Sequence, residues 1–239
     1  MKIALIGYGK MGKIIESIAT QKGHQISFKI NSQNIDELAS IKPENTDVAI
    51  EFSRPDLAVR NISHCLNNNI PIVCGTTGWL AEWNNILDLC KNKNGAFLYA
   101  SNFSLGVNLF FELNKKLARL LKDFPQYKPN IEEIHHTQKL DAPSGTAITL
   151  ANGILSNIPS LKGWSKGANN RTDILPIYSK RIDPAPGTHA ITYENAVDSI
   201  QISHVAHSRE GFASGAVLAA EWLQNRKGVY SMKDLLGLT

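Results

Sequence analysis

The sequence predicts an α/β fold: a parallel, doubly wound first domain and a second α+β domain built on a mixed or antiparallel sheet. Three observations carry this. A short apolar run, residues 2–6, breaks at Gly7-Tyr-Gly-Lys-Met-Gly12 and resumes as an amphipathic helix. Strand-like and helix-like segments then alternate as far as Ser104. Beyond a long stretch with one apolar side, from Gly106 to Phe124, the pattern turns to period-two runs, the mark of strands paired with one another. A chain of 239 residues with 43% hydrophobic content can bury the core of one large domain or two small ones.

After the glycine turn, Ile14, Ile15, Ile18 and Ala19 share one helix face, Gly23 closes the helix, and Ile26, Phe28 and Ile30 alternate as the next strand. In this strand–turn–helix setting the Gly-x-Gly-x-x-Gly run reads as the pyrophosphate turn of a Rossmann-type domain, the competing reading being a tight turn with no ligand. Gly7, Gly9 and Gly12 let the backbone approach a phosphate at a helix start, with Tyr8, Lys10 and Met11 between them. The carboxylate that usually ends the second strand and binds the ribose 2′-hydroxyl of NAD is replaced by Asn31, with Lys29 and Ser32 nearby. Without that charge a 2′-phosphate is not repelled, and Lys10 can help neutralise it. The expected cofactor is therefore NADPH or NADH, with the lower Michaelis constant for NADPH.

Residues 47–53 read as a buried strand, and Arg54-Pro55 opens a helix through Cys65. Residues 71–74 form the next strand, ending at Gly75-Thr76-Thr77-Gly78. A helix over 79–91 and a strand over 96–100 follow, the latter ending at Ser101-Asn102-Phe103-Ser104. Each small-residue turn alone could be a connector. At successive carboxyl ends of parallel strands the two together predict a nicotinamide pocket. The later strands are expected over 176–182, 190–193 and 199–204, with 158–188 otherwise irregular because it is rich in Pro, Gly and Ser. A helix carrying Ala216, Leu218, Ala219 and Leu223 should return to the first domain. The expected division is residues 1–104 plus 209–239 as the dinucleotide-binding domain and 105–208 as the substrate-binding and oligomerisation domain.

The net charge of +4 is scattered, which argues against nucleic acid and for a small anionic ligand. Cys65, Cys74 and Cys90 are odd in number, sit in apolar surroundings and lack metal spacing, so a reducing cytoplasm and no disulfide framework are expected. No signal peptide and no apolar run able to span a bilayer is recognisable, so no membrane partner is expected.

The densest chemistry lies in residues 131–147, which hold two histidines, a lysine and an anion-binding turn. His135 and His136 leave a strand on opposite sides and are not expected to share a metal. Lys139 follows closely enough for its ammonium and the His135 imidazole to reach one ligand. Asp-Ala-Pro-Ser-Gly-Thr-Ala147 sets a proline where a helix can begin and small residues where its first amides stay free, which suits a carboxylate or phosphate. Surface histidines beside a plain helix cap are the bland alternative. An acid candidate, a cation and a backbone anion hole in one loop favour function.

Glu133-Ile-His-His-Thr-Gln-Lys-Leu-Asp-Ala-Pro-Ser-Gly-Thr-Ala147 closely resembles the defining motif of the dihydrodipicolinate reductase family. The Gly7–Gly12, Gly75–Gly78, Ala100–Phe103, Gly106–Asn108 and Arg209–Phe212 segments resemble the same family in order and spacing. The resemblance implies hydride transfer from NAD(P)H to a small cyclic dicarboxylate, 4-hydroxy-tetrahydrodipicolinate, giving tetrahydrodipicolinate in lysine and diaminopimelate biosynthesis. It implies His135 as the acid/base residue and Lys139 as proton donor, and His136, Ser144, Gly145 and Thr146 around a substrate carboxylate. Cofactor roles carry over to Gly7–Gly12, Asn31, Gly75, Thr76, Thr77, Ala100, Ser101, Asn102, Phe103, Arg209 and Phe212. A homotetramer through the second domain's sheet is implied, and Ile191, Tyr193, Ile200 and Ile202 suit either that or an ordinary core. Two other classes compete. An aldehyde dehydrogenase would need a thiol in the pocket, but no cysteine lies beyond Cys90. A dinucleotide-sensing binding protein would normally carry a DNA-reading helix or basic arm, and neither is recognisable.

Overall fold

In the computed structural model, which describes residues 1–238, the glycine turn joins the first strand of a fully parallel sheet to the helix that follows it. Strands β1 (Lys2–Ile6), β2 (Gln25–Ile30), β3 (Val48–Glu51), β4 (Ile72–Cys74), β5 (Ala96–Tyr99) and β11 (Gly228–Tyr230) lie in the order β11-β5-β4-β3-β1-β2. Alternation along β1 explains the layering. Ile3 and Leu5 enter one core with Ile15 and Ala19 of α1 (Lys10–Gln21) and Ala216, Val217 and Ala220 of α6 (Glu210–Leu223). Ala4 and Ile6 enter the opposite core with Ala58, Ile62 and Leu66 of α2 (Pro55–Asn67) and Ile86 and Cys90 of α3 (Trp83–Asn92). A strand apolar on both faces is what a sheet covered on both sides requires. The chain crosses from one side to the other between β2 and β3, so the switch point lies beside β1, where such sheets bind ligands.

This compact unit comprises Met1–Leu105 with the segment from Glu210 onward, and a second comprises Gly106–Arg209. In the second unit β6 (Lys128–His135), β7 (Gly163–Lys166), β8 (Ile174–Arg181), β9 (Gly187–Glu194) and β10 (Ser199–Ala206) form a mixed sheet ordered β10-β9-β6-β8-β7. The β10–β9 and β9–β6 pairs are antiparallel; β6–β8 and β8–β7 are parallel. Ile131, Ile177, Ile191 and Tyr193 pack under α4 (Leu105–Leu121) and α5 (Gly145–Leu155), through Phe110, Ala118, Leu150 and Ile154. The buried Asn114 side chain of α4 donates to the Leu150 carbonyl of α5 at 2.9 Å and fastens the two helices together.

Three expectations change here. The strand expected over 176–182 is present as β8, but the rest of residues 158–188 is not all irregular: it also holds β7, which pairs with β8. The helix placed at 79–91 starts with a short 3-10 turn, Leu80–Glu82, before α3. Ile191 and Tyr193 are fully buried core residues, so of the four apolar positions considered for subunit contacts only Ile200, 38% exposed, and the half-buried Ile202 reach the surface. The short β11 and the C-terminal helix α7 (Met232–Leu236), held by a Ser231–Asp234 capping box, had no expectation attached to them.

Candidate active site

In the first unit the chain must turn sharply after β1 to start α1, and Gly7 does so at φ +99°. A Cβ there would lie 2.1 Å from the Phe52 carbonyl oxygen, so glycine is demanded both by conformation and by the approach of the strand β3 exit. Gly9 is the N-cap of α1 and brings no side-chain acceptor to its first amides, and nothing lies within 4 Å of where its Cβ would be. That helix end is open to an anion. Two adjoining clefts of about 360 and 380 Å³ share Gly9, Phe52 and Ser53. One continues over Gly7, Tyr8, Asn31 and Ser32, the other over Lys10, Met11, Gly75, Thr76 and Thr77. The groove thus runs from the β2 edge, past the open amides, to the β4 exit, and its residues fit a dinucleotide. Gly12 packs behind it, where a Cβ would meet the Gly7 carbonyl oxygen at 2.6 Å. Phe103 is buried with its ring 5.6 Å from that of Phe52, and so supports the groove floor. Ala100, Ser101 and Asn102 follow β5, Phe212 lies in the first turn of α6, and none of these lines either cleft. Arg209 is exposed, at the last position of the second unit.

At the β2 edge of the groove the residue that directly follows the strand is Asn31, a carboxamide and not a carboxylate. Asn31 accepts the Gln33 N–H on its Oδ1 at 2.7 Å, so its carboxamide oxygen is engaged in the turn. Glu16 is held between Lys29, at 2.5 Å, and the Tyr8 hydroxyl, which lowers its carboxyl. A cation on one oxygen and a donor on the other leave little net negative field beside Asn31.

In the second unit the inward face of β6 reads Pro129, Ile131, Glu133, His135, and that of β9 reads Gly187, His189, Ile191, Tyr193. Register pairs Ile131 with Ile191 and Glu133 with His189, so an apolar core passes into a polar end at the carboxyl end of β6. Both Glu133 carboxylate oxygens accept the Ser144 amide, each at 3.1 Å. Arg181 Nη2 lies 3.4 Å from Oε1, while His135 Nδ1 and His189 Nε2 lie 3.5 and 3.7 Å from Oε2. Burial alone would raise this carboxyl; His189 and Ser144 outweigh it and hold Glu133 far below the usual carboxylate range. His135 is pushed down to about 4, by burial first and then by His189, with Glu133 opposing and Lys139 and Arg181 adding to the fall. Its imidazole is therefore neutral at pH 7. The side chain of Lys139 is bonded to both Asp141 carboxylate oxygens, at 2.7 and 2.9 Å.

Ser144 caps α5, its Oγ accepting the Ala147 N–H at 3.2 Å and facing His189 Nε2 at 3.2 Å. Pro143 thus stands just before the cap, after a cis peptide bond, and not inside the helix. Gly145 and Thr146 begin the helix with amides that no preceding turn can satisfy. His136 follows β6 directly, half-buried, beyond the strand end that holds His135. The structure so gathers His135, Lys139 and the α5 start around residues sequence reasoning left without a role: Glu133, Arg181 and His189. One signal was available. A histidine in step with Ile191 and Tyr193 on a buried strand face needs a polar partner.

Glu133, His135 and His189 have their ligand atoms within 4.8 Å of one another, the composition of a metal site. The chemistry here is different. Arg181 and the Ser144 amide already occupy the carboxylate, and a second cation beside a guanidinium is repelled.

A doubly wound sheet with a phosphate-ready groove, and a second unit carrying acid–base groups beside an open helix end, define a dinucleotide-dependent oxidoreductase. The chain belongs to the dihydrodipicolinate reductase family: the model of that family's N-terminus matches residues 1–103 and that of its C-terminus residues 106–236. The chain is 50% identical over 236 residues to 4-hydroxy-tetrahydrodipicolinate reductase of Christiangramia forsetii, covering 99% of this chain and 98% of that one. It is 34% identical over 238 residues to the enzyme of the same name from Thermosipho africanus, covering 99% and 98%. Among solved structures it resembles a dipicolinate-bound dihydrodipicolinate reductase from Paenisporosarcina, with TM-score 0.76, 25% identity and coverage of 98% and 99%.

Proposed function

We propose that this chain reduces 4-hydroxy-tetrahydrodipicolinate to tetrahydrodipicolinate with NAD(P)H, a step of lysine and diaminopimelate biosynthesis. The observation that carries this is the segment from Glu133 to Thr146, which folds an imidazole, an ammonium and an open helix start into one corner of a chain matched end to end by the family. The balance is one hydride and one proton in, one water out. The bound cofactor supplies the hydride. Lys139 supplies a proton from Nζ to the ring as electron density builds there, and the neutral His135 exchanges protons through its imidazole. The Gly145 and Thr146 amides, with Ser144 and His136, hold a substrate carboxylate. In the first unit, Gly7–Gly12 take the pyrophosphate, Asn31 the ribose edge, and Gly75–Thr77 with Ala100–Phe103 the nicotinamide side; Phe212 belongs to the same set, and Arg209, the last residue of the second unit, is the remaining cofactor residue that the family resemblance assigns. The outer strand β10, with Ile200 38% and Val205 50% exposed, forms a homotetramer contact. The protein works in the cytoplasm without nucleic-acid or membrane partners; among the described residues no helix is long and apolar enough to cross a membrane.

Pyridine-2,6-dicarboxylate, planar and carrying two carboxylates, is expected to compete with substrate in steady-state kinetics. Inhibition independent of substrate concentration, or none at all, would count against the α5 carboxylate site. Because Asn31 stands where a carboxylate would repel a 2′-phosphate, and Glu16 is paired with Lys29, the Michaelis constant for NADPH should lie below that for NADH. A strong preference for NADH in the same assay would overturn that assignment.

A further inference from the structure

Glu133 is the only fully buried carboxylate among the described residues of the second unit, and its two oxygens face different groups. Oε1 faces cations and amides: Arg181 Nη2 and the Ser144 N–H. Oε2, besides the same amide, faces the two imidazoles, His135 Nδ1 and His189 Nε2. A carboxylate can only accept, so each ring nitrogen turned toward it is favoured in its protonated form. For a neutral His135 this puts the one ring proton on Nδ1 and leaves Nε2 as a lone pair. The 3.5 Å contact to Glu133 is longer than an ordinary hydrogen bond and this buried nitrogen makes no other, so the field of the facing carboxylate, and not a bond, selects the tautomer. His135 Nε2 points toward Gly187, lying 3.2 Å from where a Cβ of that residue would be, so only a glycine leaves the ring unpressed.

The same carboxylate reaches the rest of the site. Through the Ser144 amide it anchors the start of α5. Through Arg181 it reaches the Lys139 loop, since Arg181 Nε donates to the Lys139 carbonyl at 3.1 Å and Nη2 to the Asp141 carbonyl. We propose that Glu133 is a positioning residue which holds His135 in the Nδ1–H tautomer, with Nε2 free to take a proton, and ties both the α5 start and the Lys139 loop to that imidazole. This rests on the reading of His135 as the acid/base residue. The arrangement parallels the carboxylate that orients a catalytic imidazole in hydrolases. Of the groups around His135, Glu133 on β6 favours the imidazolium, whereas His189 on β9, Arg181 on β8 and Lys139 in the loop oppose it.

Glu133→Gln separates these roles. Arg181, a donor that faces Oε1 and not Oε2, holds the new carbonyl oxygen at the Oε1 position. The new NH2 group then faces His135 Nδ1, which must accept, and the ring proton moves to Nε2. Nitrogen NMR of the histidine rings in the full chain, at pH 7 without substrate, is expected to show His135 protonated on Nδ1 in the wild type and on Nε2 in Glu133→Gln. In kinetics the variant should lose at least 10-fold in kcat with little change in cofactor affinity, and the acid limb of kcat/KM should move to lower pH, because the one group favouring the imidazolium is gone. A wild-type spectrum with the proton on Nε2 overturns the proposal even if the variant does not fold, and so does an unchanged tautomer in a folded variant. Because the tautomer is read without turnover, the expected spectra from a protein inactive on the substrate would sink the functional reading and leave the positioning role standing.

Discussion

Lys139→Ala is expected to lower kcat by about 100- to 10,000-fold, the range for loss of a general acid, while NADPH affinity stays near wild type. The ammonium is bonded to both oxygens of Asp141, its neighbour two residues on in the same loop. Removing it has a second effect. Asp141, whose carboxyl is kept low chiefly by its hydrogen bond to Lys139, loses its partner in a loop that must admit a dicarboxylate. The KM of the single variant should therefore rise as well, by repulsion. Adding Asp141→Asn should restore much of KM and none of kcat. Steady-state kinetics on both variants, with cofactor binding followed by fluorescence, check this. A kcat within a factor of two or so of wild type would remove Lys139 from the proton step.

Two glycines of the first turn are expected to fail in different ways. In Gly7→Ala the new Cβ would meet the Phe52 carbonyl oxygen at 2.1 Å, in a backbone conformation, φ +99°, that L side chains rarely adopt. Strain and overpacking together should cost on the order of 3 kcal/mol or more, with a lower Tm and loss of cofactor binding. In Gly9→Ala the Cβ meets no protein atom within 4 Å, so Tm should hold while the methyl occupies the approach to the α1 amides and weakens cofactor binding. Thermal unfolding and NADPH titration of both variants decide the matter. A Gly9→Ala protein with unaltered affinity would mean the pyrophosphate does not lie on that helix end.

The parts of the fold that could be read in advance are those whose signals are local. The β1 turn and α1 announce themselves by three glycines and an apolar helix face, and the alternation from β3 to β5 by runs apolar on both sides. Strand β7, four residues long, and β11, three, carry no such signal; they are strands because a neighbouring edge was left to pair. The site divides the same way. His135, His136, Lys139 and the α5 start lie within one short run and could be named together. Arg181 stands 48 residues from Glu133 in sequence and meets it only because β8 pairs parallel to β6, and His189 meets it only through the β6–β9 register. Buried charge networks are assembled by topology, which one-dimensional spacing does not encode.

The most direct measurement is the nicotinamide absorbance of NADPH mixed with purified protein when freshly generated 4-hydroxy-tetrahydrodipicolinate is added. Absorbance is expected to fall in step with the substrate supplied, mole for mole, and to level off when it is exhausted. A steady absorbance, from folded protein shown to bind the dinucleotide, would contradict the proposed reduction.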